Sequence, residues 1–273
     1  MNQVKKLKNS MASLYTLASE DNRIAFARPS VMLNPEHVLI PFQASPLPAG
    51  PWIVFAPHAD DETFGMGGSL LKARREGVET HLVVLTDGAL GGERDDLVDI
   101  RRQEVTRAAE RLGIKTLHCW SEPDRSLGQD ARLIEKIANM LIELAPGSVF
   151  FPAPLEIHPD HRATAFLVWS ALQKSRNEGV HPTPIAYEIG VQNPINYLID
   201  ISAQSEEKKQ VMDIYASQNS ENNYQELVLA LDKGRTFSLP EEVTFAEGFF
   251  YFKTEDLDHS LQEMTHRIVD LYQ

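Results

Sequence analysis

The chain has 273 residues, 42% of them hydrophobic and 24% charged, with a formal net charge of −13. That is ordinary composition for a globular protein with one sizeable core, and one elaborated domain is expected rather than two. The acidic balance argues against a broad nucleic-acid or anionic-membrane surface, which needs clustered Lys and Arg, and leaves a neutral or small substrate as the easier partner.

Residues 1–50 read as an N-terminal extension, irregular or partly helical, that closes in the proline-rich run from Pro41 to Pro51. The apolar stretch Met11 to Ala18 is short and interrupted by hydroxyls, too weak for a signal peptide. No segment approaches the ~20 apolar residues of a membrane span. A cytoplasmic location is therefore expected. The single cysteine, Cys119, has no internal partner and is expected to be a buried, inert thiol.

From residue 51 to 273 the pattern alternates. Strands are expected at Trp52 to Ala56, Thr80 to Thr86, Thr116 to Trp120 and Val149 to Pro152. Helices are expected between them at about Gly65 to Glu76, Leu97 to Leu112 and Ala131 to Leu144. A further helix, Arg162 to Gln173, follows the last of these strands, with Pro159 suited to its first position. This βαβα order implies a Rossmann-like α/β fold: a mainly parallel sheet, right-handed crossovers and helices on both faces. The last third is less regular, with strands expected at Ile185 to Ile189, Tyr197 to Ile201 and Phe245 to Phe252. Helices are expected there near Glu206 to Ala216, Asn222 to Leu231 and Leu257 to Leu271.

Two acidic-histidine clusters stand at the ends of apolar runs. Pro57-His58-Ala59-Asp60-Asp61-Glu62 follows Trp52 to Ala56, and His158-Pro159-Asp160-His161 follows Val149 to Pro152. Taken singly, such residues are more often helix caps or satisfied polar groups. As a pair at the carboxyl ends of two strands, they lie where open α/β sheets bind ligands. Imidazole and carboxylate suit Zn2+, and a catalytic zinc uses three protein ligands and keeps one position open. His58, Asp60, Asp61, His158, Asp160 and His161 exceed three, leaving groups over for proton transfer. Gly65-Met66-Gly67-Gly68 does not make a dinucleotide fingerprint, because Leu70 stands where the third glycine would be needed.

These two motifs, with Arg101-x-x-Glu104, Ala108-Ala109 and Leu112-Gly113 between them, resemble the PIG-L/LmbE family of zinc-dependent N-deacetylases. The resemblance runs from about residue 52 to 252, with weaker later blocks at Tyr187-Glu188-Ile189, Leu198 to Ile201, Ser217-Gln218 and Ala246 to Phe249. It implies that His58, Asp61 and His161 hold the metal and that Asp60 is the general base. It also implies that His158 stabilises the oxyanion in protonated form, with Asp160 orienting it. Arg101 and Asp124 would contact sugar hydroxyls, although a solvated helix face is an equal reading for Arg101.

The implied reaction is removal of acetyl from an N-acetylglucosamine-type sugar in a glycoconjugate, using Zn2+, with Fe2+, Co2+ or Mn2+ as chemically acceptable alternatives. Ala59 stands where the family often has Pro, and the segment Ala153 to Ile157 lacks an aromatic residue that some members have. Two other readings stand beside this one. A non-haem iron oxygenase would use a two-histidine, one-carboxylate triad, here His58-x-Asp60 with the distant His161, but on an antiparallel double-sheet barrel. A carbohydrate-binding relative without catalysis would keep the fold and lose a motif residue. The aglycone and any homo-oligomeric association are left open by the sequence.

Overall fold

A computed structural model describes residues 40–92, 95–219 and 223–270 of the chain. Most of the expected N-terminal extension, residues 1–39, lies outside them, as does residue 271 at the end of the last expected helix. Residues 40–50 are anchored to the body of the domain. The Ser45 N–H donates to the Leu198 carbonyl (2.7 Å), and the Trp52 indole donates to the Pro48 carbonyl (3.1 Å).

The first half alternates without interruption: β1 (Trp52–Ala56), α1 (Asp61–Arg75), β2 (Thr80–Thr86), α2 (Leu97–Leu112), β3 (Thr116–Glu122), α3 (Ala131–Leu144), β4 (Ser148–Pro152) and α4 (Pro159–Arg176). Next come β5 (Thr183–Tyr187), β6 (Tyr197–Asp200), α5 (Ser205–Met212), α6 (Ala216–Asn219), α7 (Tyr224–Gly234), β7 (Ala246–Tyr251) and α8 (Leu261–Asp270). The sheet runs in the order β3-β2-β1-β4-β5-β7-β6. Its first five strands are parallel, and β7 pairs antiparallel with both β5 and β6. Parallel strands buried on both faces read as continuous apolar runs, which is how β1, β2 and β4 are written.

Alternate residues of each strand feed opposite cores. Ile53, Phe55, Val149 and Phe151 meet α3, α4 and α8 through Ile137, Leu141, Trp169 and Met264. Trp52, Val54, Leu82 and Phe150 meet α1, α2 and α5 through Leu70, Val105, Leu112 and Met212. The expected doubly covered sheet is therefore present. The strand order reverses direction between β1 and β4, which are neighbours in register Trp52 to Ser148. Loops leaving adjacent strands at such a reversal diverge and open a crevice.

The described elements sharpen several expected ones. Helix α1 begins at Asp61, four residues before the expected start, and breaks at Met66 (φ −149°, ψ 24°). The Glu247 carboxylate on β7 supplies the missing caps, accepting from the N–H groups of Gly68 (2.8 Å) and Ser69 (2.7 Å). The helix expected over Glu206 to Ala216 is two helices, with Ile214 and Tyr215 in the break. Cys119, expected to be buried, is only half-buried because β3 is an edge strand.

Gly65 is required by packing. A Cβ there would strike the Glu188 carbonyl and the Tyr187 ring (2.5 Å from Cδ2). Gly65→Ala is expected to destabilise the protein by ~1–3 kcal/mol, the usual size for overpacking, and would be read as a lowered urea midpoint at unchanged slope.

Candidate active site

Both histidine motifs leave adjacent strands, so the sheet itself sets their separation. His58 follows β1, and His158 caps α4 immediately after the β4 loop. Ring centroids of His58 and His158 lie 4.7 Å apart, those of His158 and His161 5.0 Å, and those of His58 and His161 5.5 Å. Asp61 joins two of them. Its Oδ2 lies 3.1 Å from His58 Nδ1, and its Oδ1 lies 3.3 Å from His161 Nε2. The three residues that the resemblance assigns to the metal are thus brought to one place.

The donor set fits a cation. Two imidazoles and a carboxylate are borderline ligands suited to Zn2+. Metal–ligand bonds of ~2.0–2.1 Å in a tetrahedron place donor atoms roughly 3.3 Å apart, and Asp61 meets each histidine at about that spacing, though through a different oxygen for each. Nitrogens of His58, His158 and His161 also lie within 4.8 Å of one another, as do ligand atoms of His58, Asp124 and Asp160. Neither of these two groupings includes Asp61, whose two oxygens meet His58 and His161 separately; with Asp61 as the ligand, Asp124 and Asp160 would stand in a supporting position. Asp160 Oδ2 and Asp124 Oδ1 each lie 3.3 Å from His58 Nε2, the nitrogen facing away from Asp61. A carboxylate on the rear nitrogen of a metal-ligating imidazole fixes its tautomer and orientation.

This contact with His58 adds to the expected role of Asp160, to orient and charge His158. Its carboxylate bonds to His58 and accepts from the N–H groups of Arg125 (2.7 Å) and Leu127 (3.3 Å), rather than bonding to His158. Only the Asp160 backbone N–H meets His158, donating to Nδ1 at 3.2 Å. That donation leaves the proton of a neutral His158 on Nε2. Burial and the neighbouring imidazoles push His158 below its ordinary value. Burial and the two imidazoles thus work against the expected imidazolium, while the Asp160 and Asp61 carboxylates work for it.

Asp60 sits between the two parts of the motif at φ 138°, ψ −30°, a conformation that costs of order 1–3 kcal/mol for a residue with a side chain. The carboxylate of Glu62 holds it, accepting from the Asp60 N–H (3.3 Å). Glu62 is fully buried and in turn accepts from Thr63 Oγ1 (2.6 Å) and from the Tyr215 hydroxyl. Burial and the Asp61 carboxylate push Asp60 well above the usual carboxylate range. Burial opposes the charge of Asp61, but His161 and His58 outweigh it and hold Asp61 well below that range. Two adjacent carboxylates are driven apart, one toward holding a proton and one toward permanent charge.

His161 behaves oppositely to Asp60. Burial works against its charge, yet the Asp61 carboxylate pushes it up to about 9. In the metal-free protein, a proton on His161 must therefore leave before a cation binds. Burial opposes the charge of His58 too, but the Asp124, Asp160 and Asp61 carboxylates push it well above its ordinary value, so affinity for Zn2+ is expected to rise by about tenfold or more per pH unit from neutrality to at least pH 9. Chelator competition at several pH values checks this, and a flat profile would exclude a ligand of that basicity.

The side chains converge on a cavity of about 900 Å³. His58, Asp60, Asp61, His158 and His161 line its polar end, and Phe64, Leu90, Ile157, Ile189, Val191 and Tyr224 provide apolar wall. Arg101 and Asp124 line it too. Arg101 is 4% exposed, so the solvated-face reading does not hold for it. Its guanidinium fits against Gly88 and Gly91, and its Nε has no hydrogen-bond partner within the protein. Asp124 is anchored by the Leu90 N–H (3.0 Å) and reaches His58.

Sequence reasoning missed Glu156. It stands two residues before His158, is 2% exposed, and places Oε2 3.5 Å from His161 Nδ1. Its closeness to the second motif was the available signal.

Known proteins resemble this chain in both sequence and fold. The family profile described as GlcNAc-PI de-N-acetylase, PIG-L, matches residues 53–172. Diacetylchitobiose deacetylase of Thermococcus kodakarensis is 32% identical over 184 residues, spanning 61% of this chain and 69% of the relative. The solved structure of N,N'-diacetylchitobiose deacetylase from Pyrococcus horikoshii superposes with a TM-score of 0.65 at 25% identity, covering 75% of this chain and 84% of that one. The 4-carboxy-2-hydroxymuconate hydratase GalB of Pseudomonas putida superposes with a TM-score of 0.66 at 20% identity, covering 74% and 95%. This last likeness concerns the fold alone.

Proposed function

This chain belongs to the PIG-L family, and on that premise we propose that it is a metal-dependent hydrolase that removes the acetyl group from an N-acetylglucosamine-type sugar in a glycoconjugate. The observation that carries the reading is the meeting of His58, Asp61 and His161 beside Asp60 at the polar end of one cavity. Relatives named as diacetylchitobiose deacetylases support an N-acetyl amide as the bond attacked. The same fold also houses a hydratase, so the side chains, not the sheet, must decide the reaction. The iron-oxygenase reading needs an antiparallel double-sheet barrel, and this sheet is mainly parallel.

His58, Asp61 and His161 would hold the cation, which when bound polarises the amide carbonyl and makes water a competent nucleophile near neutral pH. The remaining steps fall to the protein. Asp60, with its proton affinity raised by burial, takes the proton from the attacking water and returns it to the departing amine. His158 offers its Nε2–H to the oxygen that gains charge, a donor fixed before reaction by the Asp160 N–H on Nδ1. Arg101 and Asp124 hold the sugar hydroxyls.

Acetate release from a panel of N-acetylated sugars, diacetylchitobiose included, tests the proposal when run with and without a chelator. Release that stops on chelation and returns with Zn2+ is the expected result. Release that survives complete metal removal overturns the metal reading. Full metal binding with no free amine formed from any sugar favours the non-catalytic relative.

A further inference from the structure

We propose that Glu156 is a positioning residue that sets the tautomer of His161 and ties this ligand to the loop walling the cavity. The inference rests on the reading of His161 as a metal ligand. Glu156 lies between β4 and α4, and its two carboxylate oxygens serve different partners. Oε1 accepts from the Ile189 N–H (3.0 Å) and from the side-chain amide of Asn193 (3.1 Å), both on the loop after β5. Oε2 faces His161 Nδ1 at 3.5 Å and the Gly190 N–H at 3.5 Å. His161 Nδ1 is buried and makes no hydrogen bond within the protein, so this carboxylate is an ion-pair contact slightly too long to be one.

The other nitrogen of His161, Nε2, points at Asp61. It can offer a lone pair there only if the ring's single remaining proton sits on Nδ1. An ionised carboxylate is acceptor-only, so Oε2 facing Nδ1 selects that tautomer.

Glutamine cannot substitute. The two loop donors would claim its amide oxygen, and its NH2 group would then face His161 Nδ1. Nδ1 would have to accept, and the ring proton would move to Nε2, where the cation belongs. The same carboxylate holds Ile189 and Gly190, both lining the cavity, so one group aligns the ligand and the substrate wall.

The experiment titrates Zn2+ into metal-free wild type, Glu156→Gln, Glu156→Asp and Asn193→Ala in competition with a chromophoric chelator, alongside thermal unfolding of each metal-free protein. Glu156→Gln should bind Zn2+ about 10- to 100-fold more weakly than wild type, the usual cost of losing a partner of a metal-ligating histidine. Glu156→Asp, which keeps an acceptor-only group, should recover part of that loss. Asn193→Ala, which disturbs the loop alone, should keep wild-type affinity. Glu156→Gln binding as tightly as wild type overturns the inference. So does Asn193→Ala losing as much as Glu156→Gln, which would assign the effect to the loop. If Glu156→Gln does not fold, Glu156→Asp against Asn193→Ala decides, the weaker binder being expected to be the aspartate. Failure of wild type itself to bind Zn2+ would remove the metal reading, a result distinct from any of these.

Discussion

Asp60→Asn is expected to cut turnover by about 10²- to 10⁴-fold while leaving bound metal at the wild-type level. The amide is nearly isosteric, and Asn is among the residues best able to accept the positive φ that this position requires. The backbone contacts that hold the loop, from Glu62 to the Asp60 N–H and from the Asp60 carbonyl to Thr63 and Phe64, are indifferent to the substitution. Only the ability to take up and return a proton is lost. Metal analysis beside steady-state kinetics separates the outcomes. An unaffected kcat would remove Asp60 from the general-base role, and loss of the metal would make it a ligand instead.

Lys208→Met should cost about 3–5 kcal/mol of folding stability, the range for stripping one partner from a buried ionic group. Lys208 is completely buried, with its Nζ 2.7 Å from Asp232 Oδ2 and 2.8 Å from Glu247 Oε1. Methionine fills the space but leaves two carboxylates facing each other without a cation. Glu247 is also the group capping the second part of α1, so the damage reaches the helix that opens with Asp61. Urea unfolding at neutral pH measures the loss. Adding Asp232→Leu should recover part of it by removing one uncompensated acid. A loss below ~1 kcal/mol for Lys208→Met alone would show the cluster to be solvated, as surface ion pairs are.

The strands and the two motifs were readable because each is a local pattern. An apolar run that ends in His58 or His158 carries its meaning within ten residues. Element ends were less readable where distant contacts decide them. Tyr215 interrupts an otherwise helical stretch because its hydroxyl is drawn to Glu62, and Ser217 is drawn to Glu104. Helix α1 starts early because Asp60 turns the chain sharply at a positive φ. Supporting groups were the least readable. Lys208 and Glu156 look like surface charges in the sequence, since the carboxylates that bury one and the loop that binds the other lie 24 to 39 residues away. Asp160 belongs to the second motif, but spacing along α4 does not reveal that its carboxylate also reaches across to His58 after β1.

The departure of both motifs from the ends of neighbouring strands has a consequence for adaptation. Hydrogen-bonded strands are held about 4.8 Å apart, so the reactive groups cannot be spread to admit a bulkier bond without unzipping the sheet. The cavity's outer rim is free of that restraint: Leu90 and Ile157 stand 55% and 73% exposed on connecting segments. Divergence in what the pocket accepts can therefore accumulate at its mouth while the hydrolytic machinery stays unchanged. Exchanges at these two positions should alter KM from one sugar to another and leave the Zn2+ affinity where it was.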